Sequence, residues 1–237
     1  MLTAMRMDCL VCSQYLKGSL ATSAIMAACL VLGMGSFTAI PGTIFLFSIM
    51  GITISAYSYD ERNGWAAYRA TLPISRRDMV LGRYLATLAM ALVEYVLALA
   101  LCLLLVGVMR VVEAPGMLEA TFAWNSEQAA ALALSSSVCV AIGMVIMAVS
   151  HVVALRFGMT KAMRYVPGVL CVLGLLPVFV PLLFMGEETR TAVLAQLGAV
   201  LESGGLLLIP VVCLTVAGAA YALSAAIGVR VYERREL

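Results

Sequence analysis

The sequence predicts an all-α polytopic membrane protein with six spanning helices, on three observations. The chain of 237 residues is 63% hydrophobic and 12% charged, with a mean hydropathy of +1.04. Soluble domains are about 45–50% apolar and about 25% charged, so this chain lacks the polar surface to cover itself in water, and its solvent is lipid. Second, stretches free of charge recur at the length of about 20 residues that a spanning helix needs. Third, the cations fall almost wholly on one side of the spans so defined. The net charge of +2 gives no reason to expect a nucleic-acid partner.

The elements follow in chain order. Met5, Cys9, Cys12 and Leu16 stand at helical spacing, with Arg6, Asp8 and Lys17 elsewhere. This predicts a short amphipathic helix over residues 1–17, lying on the cytoplasmic face, with a frayed tail as the alternative. Gly18 to Tyr59 contains no Asp, Glu, Lys or Arg, which is too long for one span. Gly33-Met34-Gly35-Ser36 and Pro41-Gly42 divide it into spans over 19–36 and 40–57, with Pro41 suited to a first helical position. Met26-Ala27-Ala28-Cys29 resembles a lipoprotein cleavage box, but the apolar run continues past it, so the first span is expected to be uncleaved. The third span covers 83–109 and is interrupted only by Glu94. The fourth covers 128–155, where Ala129, Ala133, Ser135, Ser136, Ser137, Ala141 and Gly143 permit close helix packing. The fifth covers 165–185, with Pro177 and Pro181 expected to kink its outer half. The sixth covers 205–229. Val193, Leu194, Leu197, Val200 and Leu201 form a stripe that predicts a short external helix between spans five and six. The whole chain, 1–237, reads as a single transmembrane domain without internal repeats.

Sidedness follows from lysine and arginine. One side holds Arg6, Lys17, Arg62, Arg69, Arg76, Arg77, Arg83, Arg156, Lys161, Arg164, Arg230, Arg234 and Arg235, all but two of the chain's 15 cations. The other side holds Arg110 and Arg190 with six glutamates. Both termini are therefore expected in the cytoplasm.

Residues 58–78, between spans two and three, are the most informative connection. Asn63 is a candidate N-cap. Trp65, Tyr68, Arg69 and Leu72 then share a helical face, Pro73 ends the helix, and Ser75 with Asp78 forms a capping-box-like start for the next one. Trp, Tyr and Arg on a short cytoplasmic helix suit a protein contact. The same aromatics also suit the lipid headgroup region.

Asp60-Glu61-Arg62-Asn63-Gly64-Trp65, then Tyr68, then Thr71-Leu72-Pro73-Ile74-Ser75-Arg76 before an apolar helix, resembles the membrane subunits of type-2 ATP-binding-cassette exporters. In particular it looks like the compact six-span permeases of bacterial peptide-export or peptide-resistance systems. The likeness in layout covers nearly the whole chain, and at residue level it is specific between Asp60 and Arg83. It implies a bacterial cell-membrane protein whose 58–78 segment is a coupling helix docking on a separate cytoplasmic ATPase. That partner would be present in two copies and carry the ATP and Mg. It also implies a second permease subunit, identical or related. Asp60, Glu61, Arg62, Asn63, Gly64, Trp65, Tyr68, Arg69, Leu72, Pro73, Ser75 and Arg76 are the contact candidates. The chain has no G-x-x-x-x-G-K-[ST] phosphate loop and is expected to be no enzyme and to hold no cofactor. Export rather than import rests on the resemblance alone.

Glu94 sits 11 residues beyond Arg83, about 16 Å along the helix. An ionisable group at that depth is a functional candidate by default, and His151 is its conceivable partner. Together they are candidates for the substrate path, or for the relay of a proton-driven secondary transporter. Glu94 would equally serve packing if neutral or hydrogen-bonded. A membrane enzyme would need a polar catalytic cluster, which the sequence lacks, whereas a sensor or anchoring protein fits it. Cys9 and Cys12 form a C-x-x-C without the two further ligands of a zinc site. The other cysteines read as small hydrophobes.

Overall fold

The computed structural model describes residues 2–34, 37–62, 64–111, 122, 124–158, 186, 189 and 206–234. Six helices make up this part: α1 (Leu2–Met34), α2 (Ile40–Arg62), α3 (Trp65–Ala70), α4 (Arg76–Val111), α5 (Ser126–Phe157) and α6 (Leu206–Glu233). Stretches Ile40–Glu61, Arg76–Val111, Ser126–Phe157 and Leu208–Glu233 are long and apolar enough to cross a membrane. The expected second, third, fourth and sixth spans fall on these four, and the first falls in the second half of α1. The expected fifth span, 165–185, and the external helix in 187–201 lie outside the described residues.

The separate N-terminal helix is not seen. Residues 2–34 form one uninterrupted helix. A single glycine at position 18 costs about 1 kcal/mol in a helix, too little to break one that is held along its length. Ala4, Asp8, Cys12, Ser19, Ser23 and Ala27 are all buried, a stripe at near four-residue spacing that never leaves the bundle. The N-terminal third of α1 therefore packs on α4, where a Cβ at Gly82 would lie 2.8 Å from that of Ala4.

Direction can be read from the contacts. Ala4 lies beside Gly82 and Ser19 beside Glu94, so α1 and α4 run parallel. Tyr15 lies against Gly51, and Ser19 and Ser48 both reach Glu94, so α2 runs the other way. Ser224 bonds to Ala148 and Gly228 faces Leu155, so α5 and α6 run parallel to each other. Phe157 and Leu206 thus lie at opposite ends of the bundle.

Helices α2 and α5 approach closely through glycine. A Cβ on Gly42 would stand 2.7 Å from that of Cys139, and one on Gly143 would stand 2.5 Å from Ile49 Cδ1. In lipid, where apolar burial gives no drive to associate, this close backbone contact supplies the attraction. Asn125 caps α5, its Oδ1 accepting from the Gln128 amide at 2.7 Å. At that end Phe37 stacks on Phe122 and Trp124, with centroids 6.0 and 5.9 Å apart, over a core of Ile40, Ile44 and Cys102. The outward faces of α4 and α6 carry Val96, Leu104, Val211, Val216 and Leu223, the solvent-facing surface expected in lipid.

Candidate functional site

At the end of the bundle where α1 begins and α2 finishes, four charged side chains converge beneath α3. Arg69, the last basic residue of α3, donates from Nη1 and Nη2 to the two Asp8 oxygens, at 2.8 and 3.1 Å. Arg83 of α4 donates from Nη2 to Asp8 Oδ1 at 3.1 Å and from Nη1 to Asp60 Oδ2 at 2.6 Å. Asp60 Oδ1 lies 3.9 Å from Arg69 Nη1, which closes a ring of two acids and two guanidinia. The Tyr57 ring lies under Arg83, 4.7 Å from its guanidinium carbon. Asp8, Arg69 and Arg83 are buried. Planar guanidinia suit such paired geometry. The ring fastens α3 to α1, α2 and α4 at one point.

The surface of α3 is of a different kind. Gly64 holds its N-cap position with φ 62° and ψ 17°, a left-handed conformation that glycine adopts without strain. The cap expected at Asn63 is thus displaced by one residue, and Asn63 itself lies outside the described residues. Trp65 is half-buried, with Tyr59 edge-on to it at 6.0 Å and Tyr68 stacked on it at 5.1 Å. Tyr68 is 54% exposed. Trp65 Nε1 has no acceptor among the described residues. The helix closes before Pro73 as expected, with the Thr71 amide bonded to Tyr68 O and the Leu72 amide to Arg69 O. Ser75 Oγ accepts from the Asp78 amide at 3.0 Å, the cap foreseen for the start of α4.

The predicted contact residues therefore separate into two groups. Tyr68, Glu61, Gly64, Pro73, Ser75 and Arg76 are exposed, and Trp65 and Leu72 are partly so. Arg69 and Asp60 instead turn inward to the ion-paired ring. Backbone Arg62 ends α2. Glu61 approaches Gly158 at the end of α5, and Arg76 reaches the Glu233 carbonyl at 3.4 Å. Asp8 was missed in the sequence because its partners lie 61 and 75 positions away. Its one local sign is an acid placed on the stripe that α1 buries.

Glu94 and His151 do not meet. Glu94 is buried, accepts from Ser19 Oγ of α1 at Oε1, and accepts from Ser48 Oγ of α2 at 3.3 Å. His151 is fully buried between Tyr57 Oη at Nδ1 and Thr87 Oγ1 at Nε2, both at 2.9 Å. Thr87 donates to the Arg83 carbonyl at 2.9 Å. Its oxygen then accepts from Nε2–H, and Nδ1 accepts from Tyr57, which satisfies a neutral imidazole completely. Tyr221 of α6 joins through Tyr84 O at 2.8 Å. His151 thus cross-links helices, and the expected Glu94–His151 pairing is absent. Thr87 and Glu94 are seven residues apart on α4, about 10 Å along its axis.

Cys9 is half-buried and Cys12 buried, and both are free. Burial and the neighbouring Asp8 carboxylate raise both thiols, that of Cys12 to about 12. Among the described residues no cluster of His, Cys, Asp or Glu can hold a metal ion.

The sequence model of a family described as ABC-2 family transporter protein matches residues 10–233. No individual curated protein and no solved structure matches the chain.

Proposed function

The chain belongs to the ABC-2 family of transporter proteins, and from that premise we propose that it is the permease of an ATP-driven exporter in the bacterial cell membrane. In this reading, α3 docks on a separate cytoplasmic ATPase that supplies ATP and Mg, and two ATPases serve two permeases, identical or related. The charged end of the bundle is cytoplasmic, in keeping with the cation asymmetry. The cargo is an amphipathic or hydrophobic compound, of which a peptide is the nearest class by resemblance.

The observation that carries this reading is the division of labour across α3. Its outer side offers the stacked Trp65 and Tyr68, residue types that anchor protein contacts. Its inner side is fastened through Arg69 to Asp8, and through Asp8 to Arg83 and Asp60. A push on α3 would then reach α1, α2 and α4 together. A helix that merely floated in the headgroups would have no need of such an anchor.

The test is co-purification from detergent with a co-expressed cassette ATPase of the same cell. Wild type is expected to retain the ATPase, and Trp65→Ala/Tyr68→Ala to lose it while keeping its own thermal stability. Retention by the double variant would sink the proposal.

A further inference from the structure

An open groove of about 550 Å³ runs between α1 and α2 near the charged end of the bundle. Five of its lining side chains carry hydrogen-bonding groups: Gln14, Tyr15, Ser55, Ser58 and Tyr59. None of the described lining residues is charged. Its inner limit is Tyr15, whose phenol lies directly over Gly51. A Cβ at Gly51 would collide with the Tyr15 hydroxyl, so the ring keeps this position only because residue 51 is glycine. One turn further along α1 is Ser19, and one turn back along α2 is Ser48. These are the two residues that hold the buried Glu94 carboxylate.

We propose that this groove is a binding site for an amphipathic organic cation, with Tyr15 as the movable partition between the groove and Glu94. Hydroxyl and amide oxygens, the faces of Tyr15 and Tyr59 and one carboxylate behind them are the groups that attract an ammonium or phosphonium ion. Among the described lining residues an anion finds no cationic partner. The inference deepens the exporter reading by naming a substrate class. It concerns binding alone, so it can fail while the ATPase docking of α3 stands.

The probe is radiolabelled tetraphenylphosphonium, with tetraphenylborate as its anion of the same shape, bound at equilibrium to the full chain in lipid nanodiscs without ATPase. The expected result is saturable binding of the cation and only partition-level uptake of the anion. Glu94→Gln is expected to weaken cation binding by about tenfold or more, in line with the loss of a buried charge partner. Tyr59→Leu/Ser58→Ala, on the groove wall away from Glu94, is expected to weaken it severalfold and guards against a folding effect of the Glu94 change. Cation binding unaltered by both variants, equal uptake of the two ions, or no saturable binding would each overturn the proposal.

Discussion

Asp8→Asn is the perturbation that bears most heavily on the ion-paired ring. Asp8 accepts three of its four guanidinium–carboxylate hydrogen bonds. Its loss leaves Arg69 and Arg83, both buried, to share Asp60. Stranding a buried charge in this way costs about 3–5 kcal/mol. Asparagine keeps one acceptor, so the lower end, about 3 kcal/mol, is expected. For a chain of this size that corresponds to a fall in Tm of roughly 6–12 °C, at about 2–4 °C per kcal/mol. The assay is thermal unfolding in detergent, extended to a double-mutant cycle with Arg69→Met. Because that pair of changes removes one acid and one base, and leaves Arg83 with Asp60, the two effects should fall short of additivity by about 1–3 kcal/mol. Additivity within about 0.5 kcal/mol would show that Asp8 and Arg69 do not act as a pair and would remove the physical basis for coupling through α3.

Two further predictions concern the bundle. Gly42→Ala should destabilise by about 1–3 kcal/mol, because Cys139 Cβ would be 2.7 Å from the new methyl. Gly107→Ala, which meets nothing within 4 Å, should be neutral or stabilising by up to about 1 kcal/mol; unfolding in detergent compares the two directly. His151→Leu should cost about 1–3 kcal/mol by orphaning the Tyr57 hydroxyl, and Tyr57→Phe added to it should recover part of that loss. Were the second change simply to add its own cost, the hydrogen bond between the two rings would carry no weight.

What could be read from the sequence was what local chemistry decides. Charge-free stretches located α2, α4, α5 and α6 to within a few residues at most ends because the bilayer imposes length and polarity. Ser75 was legible as a cap because its partner is three residues away. Glu94 stood out as an acid in an apolar helix, but its serines lie 75 and 46 positions off, and nothing local points to them. Arg69 shared a helical face with Tyr68 by spacing, yet the two part company in the fold because Asp8 draws the guanidinium inward. The N-terminal helix was divided from the first span at Lys17, where polarity changes. The continuous buried stripe on α1, visible once neighbours are present, overrides that change.

The most direct measurement is photo-cross-linking from position 68 in cells co-expressing a cassette ATPase, with a second cross-linker at Leu104 on the outward apolar face of α4. The account predicts a cross-link to the ATPase from position 68 and none from position 104. A cross-link from 68 to lipid alone, with the ATPase captured elsewhere on the chain or not at all, would contradict the claim that α3 receives the partner.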